Sequence, residues 1–244
     1  MKNEKETLTR AFAISLAAKR ANEKLEDKTR KKKSHKKEGK ELCKWIDENN
    51  LQEIFTKTEK KIIYSRFIKK EILQWYAFGL NAVQMLLWAI GLSDITQPIY
   101  VNLEKNGMRA DISALKALEK QAKLRDEREI EKICNIAMLW HWRSIEGCLS
   151  LFDTEDIKQL IDRVFGDEEL TKLMDEMPKG ENGHDFWIEE IPNPIGQEKP
   201  IKNCSFNCLR NIEMQRIQCT MEWKQKALEW VLCDDDWDDV SADT

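Results

Sequence analysis

Apolar residues recur at three- and four-residue steps along most of this chain, the period of an α-helix that buries one face. Leu8, Ala11, Ile14, Ala18, Ala21 and Leu25 form such a stripe and predict a helix over 7–25, with Thr7 as its cap. Leu42, Trp45 and Ile46 predict a shorter helix over 38–49. A further helix is expected over 57–68 with Thr58 as cap, although Lys61 stands where a capping box wants an acid. The run Ile72–Ser93 carries no charge and has the length of a membrane span. Gln74, Asn81 and Gln84 interrupt it, so it reads as a core helix over 70–92, buried on nearly every side and stopped at Gly91.

After an irregular stretch over 95–110, helical spacing resumes over 111–152 with a break near Arg125–Asp126. Two short amphipathic helices follow at 154–165 and 167–176, on either side of Gly166. The last long helix is expected over 207–232. Three segments leave this pattern. Residues 28–40 are basic and free of large apolar side chains, and read as a solvated connection or a helix extension. Residues 178–203 hold four of the five Pro and three of the nine Gly, and read as one long loop. The tail over 233–244 has six Asp in twelve residues.

The expected fold is therefore all-α: a single multi-helix globular domain over 1–244, with the long Pro/Gly loop before the last long helix. Nine Gly and five Pro are too few for the turns of a many-stranded β fold. At 244 residues the chain can build a core without a disulfide or a metal. Seven scattered Cys, an odd number, fit a reducing cytoplasmic setting, and the polar start MKNEKETLTR lacks the apolar region of a secretion signal. Cys204 and Cys208 have no zinc-ligand partners at the right spacing, so no metal or cofactor is expected.

Candidate chemistry concentrates in two places. Ile130, Cys134, Met138, His141, Ile145, Cys148 and Phe152 share one helix face, which puts His141 in an apolar stripe between Trp140 and Trp142. His141 is either a core histidine bonded to its neighbours or a pocket residue that titrates near neutrality. Arg143 lies on another face, where a guanidinium among indoles must stack or find a polar partner. In the tail, Trp237 is the one large aromatic. A solvated acidic tail needs no such ring, so Trp237 and Val240 are expected to dock on the helical body. That would carry Asp238 and Asp243 to a basic partner: Arg143, Arg20 or Arg10. Phosphate-binding glycine loops, nucleophile elbows and dinucleotide fingerprints are all missing from the sequence.

The segments RAFAISLAAKRA (Arg10–Ala21), LLWAIGL (Leu86–Leu92), IAMLWHWRS (Ile136–Ser144) and KALEWVLCDDDWDDVSADT (Lys226–Thr244) occur in that order. Together they resemble the domain-of-unknown-function family 4272, found largely in bacteria, whose most specific mark is the ending WDxVxxDT. The resemblance implies a single helical, cytoplasmic domain, and recurring polar positions at Arg10, His141, Arg143, Asp238, Asp243 and Thr244. It also implies a carboxylate where this chain has Asn81.

The leading functional expectation is a non-enzymatic protein-binding module of immunity or adaptor type. Its acidic tail and Trp-bearing surface would complement a basic protein partner. The alternative is an enzyme or small-ligand binder with a cleft lined by His141, Trp142, Arg143, Trp237, Asp238 and Asp243. There Arg143 would hold an anionic group and His141 would move a proton. Nucleic-acid or membrane-surface binding would rest on Arg30–Lys37 alone, and a pI near 5.7 opposes a large phosphate-binding face.

Overall fold

The computed structural model describes residues 1–30, 34–95, 97–101, 117–149, 172–173, 175–176, 186–193, 195 and 199–241. Among these the chain is mostly helical: α1 (Glu4–Arg30), α2 (Ser34–Glu48), α3 (Lys57–Tyr64), α4 (Lys70–Tyr76), α5 (Leu80–Ala89), α6 (Glu127–Leu149) and α7 (Asn211–Leu232). One antiparallel pair, β1 (Trp187–Ile191) and β2 (Ile201–Ser205), and two short 3-10 turns, Gln52–Ile54 and Phe206–Cys208, accompany them. The described residues contain no helix long and apolar enough to cross a membrane. The expected helices over 154–165 and most of 167–176, together with Asp243 and Thr244, lie outside the described residues.

The chain forms two compact units. The first comprises Met1–Asp94, Leu103–Ile130 and Lys226–Thr244; the second comprises Ile95–Asn102 and Glu131–Gln225. In the first, α1 packs against α3, α4 and α5. Phe12, Ala13 and Leu16 of α1 meet Ile46, Phe55 and Ile63 there. In the second, Trp140 and Trp142 of α6 meet Phe186 just before β1, Ile188 and Ile191 within it, and Met214, Ile217 and Met221 of α7.

Several boundaries differ from the periodicity. The basic stretch 28–40 is helical at both ends, since α1 continues to Arg30 and α2 begins at Ser34. The apolar run over 70–92 is two helices, separated at residues 77–79 by turns in which the N–H groups of Phe78 and Gly79 bond three residues back. Gly79 fits because an added Cβ would sit 3.0 Å from the Ile14 side chain of α1. Gly91 does end the run, at φ +68°, a conformation that a side chain would strain.

The cap of α3 is Thr56, not Thr58. The Thr56 hydroxyl accepts the Glu59 N–H at 3.3 Å, and Glu59 Oε2 accepts the Thr56 N–H at 2.9 Å. The stretch 178–203 is not one loop. Its described part contains β1 and the start of β2, paired with Trp187 opposite Ser205 and Ile191 opposite Ile201. Glu190 and Lys202 face each other across the pair, with a 3.0 Å ion contact.

Candidate functional site

In the first unit, the capping box of α3 turns Glu59 inward, where it has no exposed surface. Arg10 of α1 is buried beside it and donates Nη2 to Glu59 Oε1. Burial pushes the Glu59 pKa up, against the downward pull of Arg10. Burial likewise raises the Tyr76 hydroxyl, and the Glu59 charge adds to that rise. The Asp238 carboxylate adds a smaller upward push to both groups, which places the tail's charge next to this cluster.

Trp237 is the roof. It is 4% exposed, lies edge-on to Trp230 at 5.8 Å, and has the Arg10 guanidinium 5.3 Å from its ring centre. Lys226 Nζ lies 5.3 Å from the same ring and 5.9 Å from Trp75. These spacings suit cation–π contact. Val240 is buried too, and the N–H groups of Asp239 and Val240 both bond to the Asp236 carbonyl, closing a turn. Upstream, Lys2 Nζ donates to the Asp234 carbonyl at 2.9 Å. The result is a fixed acidic ledge. Asp234, Asp235, Asp236, Asp238 and Asp239 are all exposed, while Trp237 and Val240 between them are buried.

In the second unit, His141 and Arg143 are 3% and 0% exposed. His141 Nδ1 lies within hydrogen-bond distance, 2.9 Å, of Gln225 Oε1. Arg143 Nη2 donates to Asn207 Oδ1 at 2.6 Å, and its guanidinium stacks 4.7 Å from the Phe206 ring centre. Trp142 is part of the apolar core. Lys224 is also buried, its Nζ donating to the carbonyls of Ile99 and Val101 at 2.5 and 3.1 Å. Burial lowers its pKa to about 7.

A cavity of about 470 Å³ opens beside α6 at Lys132, Ile136 and Trp140. Ile99, Tyr100, Ile136, Trp140, Leu173 and Trp187 supply its apolar surface. Lys132 and Glu176, 3.8 Å apart, stand among its lining residues, which include neither His141 nor Arg143. Tyr100, which belongs to this wall, accepts the Glu189 N–H on its hydroxyl at 2.8 Å.

The six residues singled out from the sequence therefore divide. His141, Trp142 and Arg143 belong to the second unit, Trp237 and Asp238 to the first, and Asp243 lies outside the described residues. Of the three arginines considered for the tail, Arg10 is the one seen against Trp237, while Arg20 has a 3.0 Å ion contact with Glu23. Glu59, Thr56 and Lys226 do not stand out among the chemistry-bearing residues of the sequence. The first two carried a readable signal, because Thr56-Lys57-Thr58-Glu59 has capping-box spacing directly before Ile62 and Ile63. Among the described residues no group of three or more His, Cys, Asp or Glu is placed to hold a metal ion.

The sequence model of a family described as Domain of unknown function (DUF4272) matches residues 1–155. That range includes Arg10, Glu59, His141 and Arg143; the Trp237 ending lies beyond it. No curated protein and no solved structure matches the chain.

Proposed function

The chain belongs to the DUF4272 family, and we propose that it acts as a protein-binding module of adaptor or immunity type, holding a basic partner on its acidic ledge. The observation that carries this reading is the clamp on Trp237. Five neighbouring carboxylates repel one another, and a free tail would spread them into solvent. Here the buried Trp237 and Val240 fix them in a turn on the helical body. A fixed, mainly negative field steers an oppositely charged protein and costs little further ordering when it binds.

The test is capture from native cells at low and high salt. The wild-type chain and an Asp235→Asn/Asp236→Asn/Asp239→Asn variant serve as baits. The wild type should retain one basic protein at fixed stoichiometry, lose it at high salt, and share it only weakly with the variant. Identical capture by both baits would remove the ledge from the account.

The cavity favours a second reading, a small apolar ligand in the second unit. Its volume falls in the range of ligand pockets, and its walls are aromatic and aliphatic. Indole, used as a planar probe, should raise the melting temperature of the wild type and leave an Ile136→Trp variant with a filled cavity unmoved. Equal shifts for both proteins would dismiss the pocket.

A further inference from the structure

α3 ends at Tyr64, and residues 65–69 turn the chain into α4. Within that turn Ser65 Oγ accepts the Phe67 N–H at 3.3 Å and donates to the Phe67 carbonyl at 2.8 Å. This clasp occupies both backbone groups of Phe67 and leaves its ring outside. Phe67 is 83% exposed, far above Tyr64 at 40% or Ile195 and Ile212 at 43% each. The Arg66 guanidinium sits 5.5 Å from the ring centre. The Tyr64 hydroxyl donates to Asp47 at 2.8 Å, which fixes the end of α3 from which the turn departs.

The sequence on either side of Phe67 is basic. Between Lys57 and Glu71 there are six cationic residues and two acids, and one of the acids, Glu59, is buried against Arg10. Lys57, Lys61, Arg66, Lys69 and Lys70 are exposed, while Lys60 lies 3.9 Å from Glu53. An isolated exposed apolar residue needs no explanation. Phe67 differs because the turn would hold equally well with a polar side chain, and because the exposed ring stands beside Arg66 and close in sequence to the exposed Lys69 and Lys70. A stacking platform for bases presents a ring face within a charged groove. A ring that stands this clear of its neighbours instead suits insertion into a soft surface whose outer layer is anionic.

We propose that residues 64–70 are a docking surface for an anionic lipid bilayer. Phe67 enters the boundary between headgroups and acyl chains, and Arg66, Lys69 and Lys70 lie on the phosphates. No spanning segment is involved. The site uses none of the residues of the acidic ledge.

Co-sedimentation of the full chain with vesicles tests this, using phosphatidylcholine alone and phosphatidylcholine mixed with phosphatidylserine. The wild type should sediment with the mixed vesicles only, and salt should release it. Phe67→Ser should lower the partition about tenfold, and Arg66→Gln or Lys69→Gln about fivefold each. All three side chains are exposed, so the variants should keep the wild-type circular dichroism and melting temperature. Three results would overturn the proposal: no preference for the anionic vesicles, wild-type sedimentation by Phe67→Ser, or tighter binding to a single-stranded oligonucleotide than to the vesicles.

Discussion

The guanidinium of Arg10 lies 5.3 Å from the centre of the Trp237 ring, so the first helix grips the acidic tail through a cation over an indole. The same guanidinium donates to Glu59. One arginine thus joins the N-terminal helix, the capping box of α3 and the tail.

Removing the ring should undo that junction. Trp237→Ala leaves a cavity between Arg10, Lys226 and Trp230, and should cost about 3–5 kcal/mol of unfolding free energy in urea. Trp237→Phe keeps part of the volume and should cost less. If both variants unfold like the wild type, the tail is not clamped.

Breaking the buried pair on one side should be worse than replacing both members. Glu59→Gln strands a guanidinium and should destabilise the chain by about 3 kcal/mol, whereas an Arg10→Met/Glu59→Met double variant should recover much of the loss. Thr56→Ala removes the cap alone and should cost about 1 kcal/mol. A double variant no better than Glu59→Gln would contradict the pairing.

Arg143 serves the core of the second unit. Its guanidinium is fully buried, bonded to Asn207 and stacked on Phe206. Arg143→Ala should therefore cost about 3 kcal/mol or more. Arg143→Lys should not restore it, because an ammonium neither stacks nor forks. Unchanged stability would mean that Arg143 has some other role.

Lys224 sets a pH dependence. Its folded pKa is about 7 and its ordinary value is 10.5, so between these the unfolded chain binds the extra proton. Stability then rises with pH through that window, by up to about 1.4 kcal/mol per unit. The contribution is complete above the ordinary value and lost as pH falls through the folded one. Denaturation midpoints from pH 7 to pH 10 should show the rise in the wild type and not in Lys224→Met. A parallel rise in both would assign it to another group.

The sequence made the helices legible because their stabilising contacts repeat with a local period. It showed the stop at Gly91, the break before Asp126 and the need for Trp237 and Val240 to be buried, since each is written in neighbouring residues. The β1–β2 pair was hidden because each strand is five residues long and lies among prolines that read as loop. The split between α4 and α5 was hidden because an apolar run looks alike whether it is one buried helix or two. Which arginine meets the tail was not legible at all. Arg10 and Trp237 are brought together by packing between elements far apart in the chain, and no local pattern encodes that choice.

Whether the acidic ledge holds a basic protein can be read by native mass spectrometry of the chain purified gently from its native cells. One basic protein should be bound at fixed stoichiometry, and it should be lost from the Asp235→Asn/Asp236→Asn/Asp239→Asn variant. A bare chain in both preparations, or a partner that stays on the variant, would contradict it.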